Sequence, residues 1–169
     1  MTQPAVTDEK GILVAYLDAQ RRHVLGILDG LPDADMHRAV LPSGWNPAGL
    51  LKHLALDDER FWFQAVVAGD QPVIESIGKD GDAWQVPADV PAADIVTLYR
   101  REIERSNAII AATTLDAPPA WWPDFFGTFR LDNLRDVLLH VITETACHAG
   151  HLDAARELID GKRWMVLTE

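Results

Sequence analysis

The chain has 169 residues, enough for one domain around a single core. Nearly half of them (48%) are apolar, which excludes a disordered chain, and a formal net charge of −11 excludes the basic surface that nucleic acid or an anionic membrane requires. A single cysteine, Cys147, excludes an intrachain disulfide and points to a reducing compartment, so a soluble cytoplasmic protein is expected.

No basic, cleavable leader opens the chain, and no apolar run approaches the ~20 residues that span a bilayer. The first predicted helix covers about Thr7 to Leu28. Leu13, Leu17, Gln20, Val24 and Leu28 recur at spacings of three and four, and Gly30 with Pro32 ends it. The second follows Asn46, a good N-cap, and Pro47, a good first helical residue. Leu50, Leu54, Asp58, Phe61 and Ala65 form its stripe, and Gly69 stops it. Phe63 and Val67 fall off that stripe, as a dimer surface or as scattered exposed apolar residues. Asp57, Asp58 and Glu59 form an acidic run of the kind that usually makes a solvated face.

Residues 70–90 carry Gly, Pro and Asp without a sustained period and read as loop. A third helix starts near Pro91 and carries Ile95, Leu98, Tyr99, Glu102, Ile109 and Ala112. The aromatic stretch "TTLDAPPAWWPDFFGTFR" then breaks the helix and is expected to pack over something. The fourth helix runs from about Asp132 to Asp160, with Gly161 as its terminal glycine. No stretch alternates as a strand, and no linker or repeat divides the chain. An all-α single domain, residues 1–169, with four long helices is expected.

The fourth helix holds the chemistry. Leu134, Leu138, Val141, Thr145, His148, Leu152, Ala155 and Ile159 alternate spacings of four and three, which places His148 in a packed seam. Glu144 and His151 lie on one flank of it, with His140 towards the edge. A buried carboxylate without a partner costs several kcal/mol, so this flank needs one. Glu144 and His148 stand one turn apart and can chelate a single ion; zinc, nickel and ferrous iron all suit these donors. They can equally form a structural hydrogen-bonded pair. A third ligand must come from another element, and His53 beside the second helix's stripe is the best candidate. Asp57, one turn on, could orient its imidazole or ligate directly. His53, Glu144 and His148 would leave coordination positions open, as catalytic sites do.

Other polar residues take plainer readings. His23, His37 and His140 read as ordinary hydrogen-bonded histidines, and Cys147 as a small packed residue rather than a nucleophile. The six tryptophans read as core and lid. No GxSxG, CxxC or HExxH motif is present.

The blocks "PSGWNPAGLLKHLALDDERFWFQAVVAG" and "LRDVLLHVITETACHAGHLDAARELIDG" resemble the DinB-like superfamily. The nearer resemblance is to its actinobacterial branch related to mycothiol-dependent maleylpyruvate isomerase, over about Thr7 to Gly161. It implies a four-helix bundle of up-down-down-up course, often dimeric, with a divalent metal at one end. By position, the resemblance assigns His53, Glu144 and His148 as metal ligands, with glutamate replacing the commoner middle histidine. His151 falls where many members carry glutamine. It further implies a low-molecular-weight thiol such as mycothiol as cosubstrate, acting on a small electrophile in isomerisation or S-transfer. On that reading His151 or Asp57 positions a ligand or moves a proton, and residues 70–90 and 113–130 select the substrate. The competing expectations are a non-catalytic bundle that binds a structural metal or a small molecule, and a metal-free bundle that acts through dimer contacts.

Overall fold

The computed structural model describes residues 8–79 and 81–164. Its regular elements are all helical, with no strand among the described residues. Helix α1 spans Glu9–Leu28 and is capped by Asp8, whose carboxylate accepts the Gly11 N–H at 2.7 Å. The expected start at Thr7 lies outside the described residues. Gly30 turns the chain at φ +68°, where a side chain would be strained. The short α2, Asp33–Met36, follows.

Helix α3, Pro47–His53, begins as its sequence dictates: the Asn46 side chain accepts the Gly49 N–H at 2.8 Å, and Pro47 occupies the first turn. It then widens without a break into a π-helix, Leu54–Val67. Hydrogen bonds from i to i+5 put more residues into each turn than an α-helix holds. Burial falls on the pairs Leu54/Ala55 and Asp58/Glu59 and then on every residue from Trp62 to Val67.

Two expectations are overturned here. Phe63 and Val67 are buried, at 0% and 7% exposure, and offer no dimer surface. The acidic run is not a solvated face either, for Asp58 and Glu59 are buried and only Asp57 meets solvent. The wider turn brings Asp58 and Glu59 inward together, while the last turns, Trp62 to Val67, are buried on every side, with the segment after α5 docked on their carbonyls.

Residues 70–90 contain one further helix, α4, Gln71–Ser76, with Asp70 capping the Val73 N–H and a proline in its first turn. Helix α5 spans Ala92–Ala112. The aromatic stretch after it docks on the end of the π-helix: the Ala120 and Trp121 N–H groups donate to the carbonyls of Val67 and Val66. A 3₁₀ turn at Asp124–Phe126 lies within it. Helix α6, Leu134–Asp160, is capped by Asn133 and closed by Gly161 at φ +80°.

Contacts fix the relative directions of the long helices. Arg135 pairs with Glu9 and Asp153 with His23, so α1 and α6 run the same way. His148 meets His53 and His140 meets Trp62, so α6 runs against α3 and the π-helix. Lys10 reaches the Ala111 carbonyl while the Ala92 N–H donates to Asp33, so α5 runs against α1.

Polar groups reinforce the apolar core. Arg21, 2% exposed, holds Glu59, 1% exposed, through two bonds of 2.7 and 2.6 Å. Gln64 donates to the buried Glu102, and Arg156 donates to the carbonyls of Ile27 and Asp29 at the C-terminal end of α1. These two-sided pairings leave few buried charges uncompensated. No helix among the described residues is long and apolar enough to cross a membrane.

Candidate functional site

Three elements converge where α3 passes into the π-helix. His53 is the last residue of α3, and Asp57 stands one turn further on. The Asp57 carboxylate engages Nδ1 of His53 at 2.8 Å, which leaves Nε2 of that ring as its free nitrogen. From α6, His148 presents its ring edge-on to His53, with centroids 5.0 Å apart. Glu144, one turn earlier on α6, places Oε2 3.7 Å from Nε2 of His148. His151, one turn later and exposed, places Nδ1 3.4 Å from Nδ1 of His148.

The third element is the segment 70–90. Trp84 stacks on the face of His53 at 4.2 Å and meets His148 edge-on at 5.6 Å. Its backbone lies against Gly49 so closely that a Cβ there would stand 3.0 Å from the Trp84 carbonyl carbon. Lys52 clamps the same segment by donating to the carbonyls of Asp82 and Gln85 at 3.0 and 2.9 Å. The glycine therefore lets a backbone approach the helix, and that approach sets a tryptophan over the histidine.

Burial changes the electrostatic reading. His148 is half-buried rather than a seam residue; its neighbour Ala149 fills the seam at 0% exposure. Burial, with the nearby His53 and His151, lowers its pKa to about 4, so its imidazole is neutral at physiological pH. The Glu144 side chain is 42% exposed, so water solvates it and burial imposes no need for a partner. Asp58, 4% exposed, is instead buried in this region, and its Oδ2 has no hydrogen-bond partner among the described residues. Desolvation, and then the nearby Glu144, Glu59 and Asp57, push its pKa well up. Its place in an apolar stripe was the sequence signal for this. Trp84 had no such signal.

A cavity of about 300 Å³ opens beside His53 and Glu144. Phe61 and Trp62 of the π-helix, with Phe125 and Phe126 of the 113–130 segment, form its aromatic walls. Both segments read as loops in the sequence thus reach this end of the molecule. His140 also lines the cavity, its ring 4.5 Å from Trp62, and burial lowers its pKa. His23 and His37 are hydrogen-bonded elsewhere, to Asp153 and to the Val90 carbonyl. Cys147 is exposed, contrary to its expected packing, because it points away from the seam.

The donor chemistry suits a divalent ion: His148 is neutral, as a ligand must be, and a carboxylate fixes the other nitrogen of His53. Yet among the described residues no three His, Cys, Asp or Glu side chains are gathered closely enough to hold one ion. His53 and Glu144 flank His148 without closing into a cage.

A family model described as Mycothiol-S-transferase matches residues 12–161. The chain belongs to that family, a DinB-like and mycothiol-related one, in agreement with the resemblance carried by the His53 and Glu144–His151 blocks. No curated protein sequence matches the chain.

Proposed function

We propose that this member of the mycothiol-S-transferase family transfers a low-molecular-weight thiol of the mycothiol type to a small electrophile, with His53, Glu144 and His148 holding a divalent cation, zinc foremost. The observation that carries the reading is the meeting of His53 with His148 and Glu144 at the mouth of an aromatic cavity. The directions of α1, the α3–π-helix unit, α5 and α6 support an up-down-down-up bundle in one domain. The lone cysteine supports a reducing, cytoplasmic setting.

A divalent ion at this place supplies Lewis acidity, which lowers the pKa of a thiol. The chain's own residues do the rest. Asp57 holds Nδ1 of His53 and so fixes which nitrogen of that ring a ligand would meet. Burial keeps His148 unprotonated. His151, exposed and with Nδ1 3.4 Å from Nδ1 of His148, would take the proton from an incoming thiol. Trp84 shields one face of His53 from water.

The test is elemental analysis of the protein purified without a histidine tag, beside His148→Ala, with mycothiol consumption measured against an alkyl halide. The reading requires about one divalent ion per chain, lost together with thiol consumption in the variant. Metal content and thiol consumption both unchanged in His148→Ala would sink it.

A second reading is favoured by one observation. Asp57 already occupies Nδ1 of His53 at 2.8 Å, and Glu144 stands 3.7 Å from the neutral His148. A non-catalytic bundle that binds a metal or a small molecule needs no more than that. It requires metal binding or a ligand-dependent rise in melting temperature without turnover of any thiol.

A further inference from the structure

The cavity beside His53 and Glu144 changes character along its length. Because α6 runs against the α3–π-helix unit, His53 lies level with His148 at one end, and Trp62 lies level with His140 at the other. The polar side chains His53, Asp57 and Glu144 therefore line the first end, and Phe61, Trp62, Phe125 and Phe126 wall the second. The rings of that second end stand at contrasting angles. Trp62 stacks on Phe126 with centroids 5.6 Å apart, and Phe61 meets Phe126 edge-on at 5.8 Å. A ring seated among them meets both a face and an edge, the two arrangements that aromatic pairs favour. Phe125 packs on Phe126 at 4.8 Å yet stays 67% exposed, so apolar surface at the cavity wall stands uncovered.

We propose that the aromatic end seats a planar aromatic ring, and that the electrophile this protein takes carries its reactive carbon one or two bonds from that ring. The seat stands on the walls alone; its use for the electrophile rests on the thiol-transfer reading. At about 300 Å³ the cavity has room for one small ring system with a short substituent. His140 and Glu144 stand one turn apart on α6, about 6 Å along the axis, so a ring level with His140 needs only a short substituent to reach the level of Glu144. There a thiolate sulfur attacks the saturated carbon of an arylmethyl or aryl ketone halide. A carbon–sulfur bond forms, the carbon–halogen bond breaks, and the halide leaves with the bonding electron pair. The proton given up by the thiol goes by way of His151 to water.

The first readout is binding alone. Nuclear magnetic resonance follows the Trp62 and His140 ring signals as acetophenone or cyclohexyl methyl ketone is added; the two match in size and neither reacts with thiols. Wild-type protein is expected to bind acetophenone about threefold or more tightly, although the saturated ring is the more apolar. Phe125→Ala removes an exposed ring at the cavity wall and is expected to weaken acetophenone binding at least about twofold without altering the melt. Equal or reversed affinities, binding of neither ketone, shifts that avoid Trp62 and His140, or acetophenone binding unmoved in Phe125→Ala would each overturn the proposal. The wild-type comparison decides even if the variant fails to fold. The second readout is turnover of phenacyl bromide against bromoacetone with mycothiol, each rate divided by that of the uncatalysed reaction. It is made in Cys147→Ser protein, so that the chain's own exposed thiol is not alkylated. The aromatic bromide is expected to be favoured about tenfold or more in kcat/KM. Acetophenone binding with turnover of neither bromide would leave the seat standing and remove the transferase reading; turnover of both bromides alike would remove the electrophile assignment and leave the transferase reading.

Discussion

Gly49→Ala probes how the backbone builds the site. In most helices this change is favourable, by about 0.4–1 kcal/mol, because alanine loses less backbone entropy on folding. Gly49 has no positive φ, so its conformation accepts alanine. Space does not. The new methyl would stand 3.0 Å from the Trp84 carbonyl carbon, with the oxygen closer still, and 3.3 Å from Oδ1 of Asn46. The oxygen sets the shift: a carbon–oxygen contact needs about 3.3–3.6 Å, so the segment must retreat by more than about 1 Å. It cannot retreat freely, because Lys52 binds it at Asp82 and Gln85.

Overpacking of this kind costs about 1–3 kcal/mol, more than the propensity gain, so the net expectation is a loss of about 1 kcal/mol. Gly150→Ala is the control. Gly150 lies inside α6, and beyond its own helix backbone no atom comes within 4 Å of where a Cβ would stand, so alanine there should stabilise by about 0.5–1 kcal/mol. Urea denaturation gives both numbers. Nuclear magnetic resonance adds a local readout, since the Trp84 ring shields the His53 protons at 4.2 Å and their shifts should relax in Gly49→Ala. If Gly49→Ala stabilises as much as Gly150→Ala and leaves those shifts alone, the close approach does not position Trp84.

Three more outcomes follow from buried charge. Arg21→Met should cost about 3–5 kcal/mol in urea denaturation because Glu59 is left buried and alone, whereas Arg21→Met with Glu59→Leu should recover most of it. Equal losses in the single and double variants would refute that account. In metal-free protein His148 has a folded pKa of about 4 against an unfolded value near 6.5. The unfolded chain therefore binds more protons across that window, so stability should fall as pH drops from 6.5 towards 4, and His148→Gln should flatten the fall. A denaturation midpoint equally pH-dependent in both proteins would contradict it. Asp58 has the opposite sign: its raised pKa means that its cost is absent below an unfolded value of about 3.9 and grows as pH rises. Asp58→Asn should raise the melting temperature at pH 7 and change it little near pH 4; a drop at pH 7 would mean that Asp58 has a partner.

Much of the fold is written locally. Asn46 before Pro47, Asn133 before α6 and Gly161 after it are capping chemistry confined to a few residues, and they start and stop helices where the sequence says. The alternating spacing along α6 names its buried face apart from His148, where Ala149 fills the seam instead, and Ile159. His53 and the Glu144–His151 block could be singled out because polar side chains at helical spacing beside apolar stripes are conspicuous. Helix α4 departs from the loop expected over residues 70–90: Asp70 caps it, but six residues are too few to show a period.

The rest depended on what meets across the fold. A π-helix changes the residues per turn, so Asp58 and Glu59 turn inward together, and Phe63 and Val67 lie in its last turns, which are buried on every side. Glu59 can be buried because Arg21, 38 residues earlier, reaches it. Glu144 escapes burial because its end of α6 stays open to solvent, while Asp58 takes the orphaned position that the sequence had suggested for Glu144. Trp84 reaches His53 only because Gly49 leaves room for its backbone. Caps and periodicity are properties of neighbours along the chain, and the sequence by itself determined those; which carboxylate is paired, solvated or stranded is a property of neighbours in space, and only the packing of α1, the π-helix and α6 decided it.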